Sequence, residues 1–233
     1  MTHHRFNVIA PAIYLPPIPL FAPLTQGGKL FIDTSMHYEK RSFINKTYIL
    51  HANGPLIMIV TTKRSGRSRT PLKNLDLDYS HNWHIKHYHG ISASYKASPF
   101  FEFYEEEFKY LIRIKQWQTI ADLNIALLEW IVEQIALPVE IVIIDSFKRE
   151  FPEAIIDLRW HWIPYRKLMN IVHPNMPQYV QHFQELTGFV ANLSVIDLLF
   201  NMGPHSAEYL EKYWKFSIQH KDFFSKMYNL ALQ

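Results

Sequence analysis

The stretch TIADLNIALLEWIVEQIALPVEIVIID, residues 119–145, places a helix pattern directly before a strand pattern. Thr119 precedes the first apolar residue, as the N-cap of an amphipathic helix does. The run VEIVIID at 139–145 is rich in β-branched residues and predicts one buried strand. A helix that leads into a buried strand favours an α/β fold. The apolar stripe of the helix consists of Ile120, Leu123, Leu127, Leu128, Ile131 and Ile135.

Strand patterns dominate the first third of the chain. NVIAPAIY at 7–14 and KLFIDTSM at 29–36 predict short strands with buried faces. TYILHANGPLIMIVTT at 47–62 predicts two strands joined at Asn53-Gly54, a common hairpin dipeptide. LKNLDLDY at 72–79 alternates imperfectly and is a weaker strand candidate.

Helix patterns dominate the rest of the chain. NWHIKHYHGISASYKA at 82–97 has apolar residues on one face, and SPFFEFYEEEFKYLIRI at 98–114 predicts a helix capped by Ser98 with Pro99 in its first turn. We expect three more helices near 177–187, 195–202 and 206–218. These patterns predict a single mixed α/β domain over residues 1–233, with a strand-rich N-terminal third followed by a mostly helical remainder.

The segment NLSVIDLLFNMGP, residues 192–204, combines an apolar middle with polar ends. Ser194 and Asp197 have the spacing of a capping box, and Gly203-Pro204 predicts the end of the helix. Asn192 and Asn201 have no such explanation. They bind either the backbone or a ligand, and the backbone is favoured because most buried amides are satisfied there.

Composition excludes several kinds of site. The chain has no cysteine, which excludes disulfides, thiol nucleophiles and cysteine metal ligands. Only 7 glycines occur, and neither glycine-rich phosphate-binding motif is present, so we expect no nucleotide cofactor and no other cofactor. Five prolines interrupt the apolar N-terminus, which predicts neither a signal peptide nor a membrane span. We therefore expect a cytoplasmic protein.

Basic residues are concentrated between Lys40 and Lys73, where eight Lys or Arg occur without one Asp or Glu. This basic segment is either a solvated loop or a site for phosphate, because guanidinium groups bind phosphate with two parallel hydrogen bonds. Nucleic acid is disfavoured, since no nucleic-acid-binding motif accompanies the charges. The basic residues are Lys40, Arg41, Lys46, Lys63, Arg64, Arg67, Arg69 and Lys73.

Several long blocks resemble the WbqC-like protein family, most closely its Bacteroidetes form. They are YLPP, YEKRSFINKTYILHANG, DYSHNWHIKHYHGISASYKASPFFEFYEEEF and QHFQELTGFVANLSVIDLLFNMGP, and they leave only about 112–157 without a match. The resemblance implies a role in gene clusters for O-antigen and other surface polysaccharides. It does not imply a defined reaction.

The resemblance also suggests candidate site residues. Trp83 and His87 match its W-x-x-x-H pair, and His87 is the candidate proton acceptor because histidine titrates near neutral pH. A buried core histidine is the competing interpretation. The spacing of His84, His87 and His89 does not favour a metal, and none is expected. The ligand-binding candidates are Tyr38, Lys40, Arg41, Asn45, Lys46, Trp83, Asn192 and Asn201.

Two functional hypotheses follow. The first is an enzyme, a possible transferase, that modifies a nucleotide- or lipid-linked sugar, for example by transferring a group to an amino sugar. The second is a non-catalytic binding or scaffold protein of the same pathway, which fits the absence of a complete catalytic motif. The partner expected in both is a sugar substrate, with no nucleic acid, and the sequence leaves the oligomeric state open.

Overall fold

A computed structural model describes residues 5–38, 42–63, 70–148, 155–159 and 175–220. Its strands are β1 (Asn7–Pro11), β2 (Gly28–Asp33), β3 (Lys46–His51), β4 (Gly54–Ile59), β5 (Val139–Ile144) and β6 (Ile155–Asp157). Its α-helices are α1 (Trp83–Tyr95), α2 (Phe101–Lys109), α3 (Ile120–Ile135), α4 (Gln184–Thr187), α5 (Val195–Met202) and α6 (Ser206–His220). This combination confirms the predicted α/β fold.

Four of the strands form a parallel sheet in the order β5-β2-β1-β6. The chain passes from β1 to β2, continues outward to β5, and then returns to the other side of β1 to form β6. Strand β1 is buried from Val8 onward because it lies in the middle of the sheet. The strand predicted at 139–145 is present as β5, but it lies at one end of this sheet and is half-exposed.

The predicted hairpin is confirmed as β3 and β4, which pair antiparallel. His51 pairs with Gly54, so Ala52 and Asn53 form the loop, one residue earlier than Asn53-Gly54. One hairpin face packs on α1, where a side chain added at Gly90 would meet the Met58 thioether methyl group at 2.8 Å.

The predicted cap of α3 is also confirmed. Thr119 Oγ1 accepts a hydrogen bond from the Asp122 backbone N–H, and the Asp122 carboxylate accepts one from the Thr119 N–H. Helices α1, α3, α5 and α6 contribute to one continuous core with β1, β2 and β3. No helix in the described ranges is both long and apolar enough to cross a membrane.

Other element boundaries differ from the predictions. Helix α2 begins at Phe101 with no side-chain cap, so Ser98 is not its N-cap. The helix expected near 177–187 consists only of the single turn α4. The weak strand candidate near 72–79 instead begins with a 3-10 turn at Leu72–Asn74.

Candidate functional site

The order of the parallel strands defines a switch point at the carboxyl end of β1. Successive connections run outward on the β2 side of β1 and then change to the β6 side. In open α/β sheets, connections that leave in opposite directions open a crevice at this position, and ligands bind there. Pro11, the last residue of β1, has no N–H and ends the hydrogen-bond ladder at this edge.

Three charged side chains meet at this carboxyl edge. Arg159 follows β6 and reaches across the end of β1, where its Nη1 donates to Asp33 Oδ2 at 3.3 Å. Its Nη2 donates to Asp157 Oδ2 at 2.6 Å, and its Nε donates to Asp157 Oδ1 at 3.1 Å. Asp33 ends β2 and Asp157 ends β6, so these residues join the two neighbours of β1.

Two of the three side chains in this network are buried. The side chains of Arg159 and Asp33 are 3% and 0% exposed, whereas that of Asp157 is 33% exposed. Burial alone would lower the pKa of the Arg159 guanidinium, but its hydrogen bonds to the two carboxylates and their charges raise it above its ordinary value. Arg159 is therefore charged and engaged with protein groups, and Asp157 is the member of the network that solvent reaches.

Further hydrogen bonds link chain segments at the same edge of the sheet. Thr34 Oγ1 donates to the Ile144 carbonyl oxygen at 2.9 Å, and Ser35 Oγ donates to Asp33 Oδ1 at 2.6 Å. Lys73 Nζ donates to the Asp145 carbonyl oxygen at 2.7 Å, directly after β5. The carboxyl ends of β2 and β5 are thus tied together by side chains.

The ligand candidates around the basic segment lie in different surroundings. The Tyr38 N–H donates to the Thr70 carbonyl oxygen, so the segment that follows β2 runs beside the segment around Thr70. The Tyr38 hydroxyl donates to Asn45 Oδ1 at 3.3 Å, and Asn45 Nδ2 donates to the Val60 carbonyl oxygen. Asn45 is thus used by the protein itself, and Lys46 is half-buried at the start of β3.

Two of the candidates, Lys40 and Arg41, lie outside the described residues. So do three further cations of the basic segment, Arg64, Arg67 and Arg69. Their proposed role in phosphate binding therefore stays a prediction.

His87 lies in a buried aromatic cluster on α1 and is 7% exposed. Its Nδ1 is 2.9 Å from the Tyr14 hydroxyl, and its ring centroid is 5.3 Å from that of Trp83. Burial lowers the pKa of His87 to about 4, and a hydrogen bond to the Ile59 backbone only partly offsets this. The ring is consequently neutral at neutral pH, and its Nδ1 lies within hydrogen-bond distance of the Tyr14 hydroxyl.

These contacts are those of a core histidine. A role for His87 in proton transfer would require the Tyr14 contact to open, and that role stays a prediction. Trp83 differs, because its buried indole N–H has no hydrogen-bond partner among the described residues. Buried donors are seldom left in this state, so Trp83 remains a candidate ligand contact.

For the two asparagines of the 192–204 segment, the structure shows one side-chain contact and one unusual backbone conformation. Asn201 Nδ2 donates to the Asp197 carbonyl oxygen one helical turn earlier, at 2.7 Å. Asn192 has a positive φ of 59°, a conformation that asparagine tolerates better than most residues. Binding to the backbone was the favoured explanation, and the Asn201 contact agrees with it. A ligand role for either residue is left as a prediction.

The capping-box interpretation of Asp197 is wrong. Its carboxylate is fully buried and accepts hydrogen bonds from Tyr95 at 2.6 Å, Tyr179 at 2.5 Å and Gln181 at 3.1 Å. Burial raises the pKa of Asp197 to about 6, although these donors act in the opposite direction. The residue joins α5 to α1 and to the segment around 179–181.

Sequence reasoning missed Asp157 and Arg159 and gave Asp33 no role. A signal was present, because LFID and IID each end in an aspartate directly after an apolar strand run. The sheet order that brings these strands beside β1 was not readable from the sequence. Within the described residues no group of acidic residues and histidines forms a metal site.

Comparison with known proteins identifies the family of this chain. A model of the WbqC-like protein family matches residues 12–161, which include β2 through β6 and begin directly after the end of β1. The matched range contains Asp33, His87 and Arg159 but ends before Asn192 and Asn201. Searches of curated proteins and of solved structures found no match. Because the family model covers more than half of the chain, the chain belongs to the WbqC-like protein family.

Proposed function

We propose that this protein binds and modifies an activated sugar during assembly of O-antigen or another surface polysaccharide, at the carboxyl edge of its parallel sheet. The sugar is nucleotide-linked or lipid-linked, and the reaction is a group transfer, for example to an amino sugar. The observation that carries the proposal is the accessible Asp157 carboxylate at the β1–β6 switch point.

The charges at this edge suit a sugar better than they suit a phosphate. Arg159 is buried and held by two carboxylates, so its positive charge is already balanced. Asp157 accepts hydrogen bonds, and part of its carboxylate faces solvent. Sugar hydroxyl or amino groups are donors that such a carboxylate binds, whereas a phosphate would be repelled.

The phosphate part of the ligand has a separate partner in the basic segment. Tyr38, two residues before this segment, donates its N–H to the carbonyl oxygen of Thr70 within the segment, beside the same edge. A ligand with a sugar at Asp157 and a phosphate at the basic segment would use both features. In a catalytic version of this proposal, His87 is the candidate proton acceptor.

Non-catalytic binding of the same ligand is the second candidate, favoured by the internal hydrogen bonds of His87. A thermal-shift screen with nucleotide sugars and short-chain lipid-phosphate sugars tests both candidates. A ligand at a hundred times its dissociation constant would stabilise the protein by about 2.7 kcal/mol. Incubation of the hits with donor compounds would then separate turnover from binding. If no sugar ligand of either kind raises the melting temperature, both candidates are contradicted.

A further inference from the structure

An open groove of about 610 Å³ lies between α2 and α3, away from the parallel sheet. Its lining includes the aromatic rings of Tyr110, Trp117 and Trp130. Trp130 is buried, and its indole N–H donates to Glu107 Oε2 at 3.0 Å, which links the two helices. Among the described residues that line the groove, every charged one is a glutamate. We call this feature the acidic groove.

Most of the carboxylates in the acidic groove have no counter-ion. Glu106 forms an ion pair with Lys109 at 3.4 Å, but within the described ranges Glu107, Glu129 and Glu133 form none. Glu129 and Glu133 are one turn apart on α3, so their negative charges repel each other. Glu133 also lies in the last turn of α3, where the helix dipole disfavours a negative charge. A cation bound in the groove would relieve both effects.

The aromatic lining of the groove already has an ammonium group against it. Lys115 Nζ lies 3.8 Å from the centroid of the Trp117 ring, which is the geometry of a cation–π contact. The ring is held in place by the protein, because its indole N–H donates to the Leu111 carbonyl oxygen at 2.8 Å. Lys115 forms no ion pair with any residue that the structure describes, so it leaves the three carboxylates unbalanced. Cations carried on apolar stems are the groups that match this combination of rings and carboxylates.

We propose that the acidic groove binds a lysine- or arginine-rich peptide segment of a partner protein. Its cationic heads would pair with Glu107, Glu129 and Glu133, and its methylene stems would lie along the tryptophan rings. Because the groove is open and its carboxylates belong to two helices, it suits several cations on one chain better than a single small amine.

Other kinds of occupant do not match the groove. A phosphate or a nucleic acid would be repelled by the carboxylates. An apolar segment would remove unpaired carboxylates from water, which is costly. The whole protein has a net charge of +3, so general attraction does not recruit a basic peptide, and the attraction must come from the groove itself. This inference goes beyond the proposed sugar chemistry and does not depend on it.

Titration calorimetry of the full chain with a hexalysine peptide tests the proposal, with spermidine as the small-amine arm. The test variant is the double substitution Glu129→Gln with Glu133→Gln. The matched control is Glu208→Gln with Glu211→Gln, which removes the same charge from exposed positions on α6. The melting temperature of the test variant should not fall, because the substitutions remove a repulsion, and this establishes that the variant is folded.

The expected result is that the unmodified protein binds hexalysine, with an affinity that falls as salt rises. The test variant should bind about tenfold more weakly or worse, because two of the three unpaired carboxylates are lost. The control variant should bind like the unmodified protein. The proposal is overturned if hexalysine does not bind, or if the test variant binds as tightly as the control variant. It is also overturned if spermidine binds as tightly as hexalysine, since the occupant would then be a small amine.

Discussion

At the residue scale, His87 and Asp197 make opposite contributions to stability in the same pH range. The pKa of His87 falls from 6.5 to about 4 on folding, and that of Asp197 rises from 3.8 to about 6. The contribution of His87 is therefore present above pH 6.5 and lost as the pH falls towards 4. That of Asp197 is present below 3.8 and lost as the pH rises through about 6.

Replacing His87 by Gln should make the contribution of Asp197 to the pH dependence of stability measurable. In the unmodified protein, protonation of His87 at low pH lowers the free energy of unfolding by about 3 kcal/mol. Gln cannot take up a proton, so this decrease does not occur in the variant. Its free energy of unfolding should consequently fall as the pH rises from about 4 to about 6. Urea unfolding across this range measures the slope. A variant with the slope of the unmodified protein would show that His87 is not a buried neutral histidine.

Replacing Asp197 by Asn should give the reverse slope. Without this carboxylate the contribution of His87 dominates, so stability should rise between about pH 4 and pH 6.5. The variant should also be less stable at every pH, since an amide N–H₂ would face Tyr95, Tyr179 and Gln181, which are all donors to Asp197. The same urea series measures both effects. Stability that falls with rising pH in this variant would contradict the account of Asp197.

The hydrogen-bond partners of Asp197 could not be predicted from the sequence. Ser194 and Asp197 have the spacing of a capping box, and this local pattern explained both residues without any distant partner. The true partners of Asp197 include Tyr95, which is 102 positions away in the chain. Burial of that pair depends on how α1 and α5 pack, and no local pattern contains this information.

At the element scale, Gly203 sets the junction between α5 and α6. Its φ is +52°, and an added Cβ would lie 2.4 Å from the Phe100 ring. Gly203→Ala should therefore destabilise the protein by about 2 kcal/mol or more, through both backbone strain and overpacking. Gly188→Ala is the matched control, since φ there is +70° but nothing lies within 4 Å of the added Cβ. Chemical denaturation should find Gly203→Ala clearly the less stable, and equal losses would argue against the close packing of Phe100.

The basic segment carries a prediction about ionic strength. Changing Arg41 and Lys46 together to Gln should weaken binding of a nucleotide sugar by up to about thirtyfold, because two ion pairs are removed and each solvent-screened pair contributes at most about 1 kcal/mol. The loss should shrink as salt rises, since salt screens such pairs. Titration calorimetry at two salt concentrations measures this. Equal affinity of the variant and the unmodified protein at low salt would contradict the proposal that the basic segment binds phosphate.

Elements with strong local signals were predictable from the sequence. Thr119 and the apolar stripe after it defined α3, and Asn53-Gly54 located the hairpin to within one residue. Helix α2 was harder, because Ser98 and Pro99 look like a helix start but the helix begins at Phe101. There the Phe100 N–H donates to the Phe200 carbonyl oxygen, so packing against α5 sets the boundary.

At the scale of the whole molecule, the sheet order was not predictable from the sequence. Strands β1 to β5 were each predicted, but only the order β5-β2-β1-β6 places Asp33 and Asp157 on either side of β1. Strand β6 was not predicted, and it provides both Asp157 and the start of the segment that holds Arg159. The candidate site therefore arises from long-range pairing, which is the part of a fold that sequence patterns describe least well.

The opposite edge of the sheet offers a rival location for a ligand. An open cavity of about 840 Å³ lies beside the amino ends of the strands, with Lys29 and Glu140 in its lining. These two residues form an exposed ion pair at 3.4 Å. Exposed pairs of this kind are weak, which makes Glu140 a suitable control for Asp157.

Titration calorimetry of Asp157→Asn and Glu140→Gln, with the sugar ligand that gives the largest thermal shift, tests the central claim most directly. Both changes neutralise one ion-paired carboxylate of the same sheet, at opposite edges. If the ligand binds at the carboxyl edge, Asp157→Asn should weaken binding by about tenfold or more, and Glu140→Gln should leave it unchanged. Full affinity in Asp157→Asn together with a loss in Glu140→Gln would place the ligand at the amino edge and contradict the account.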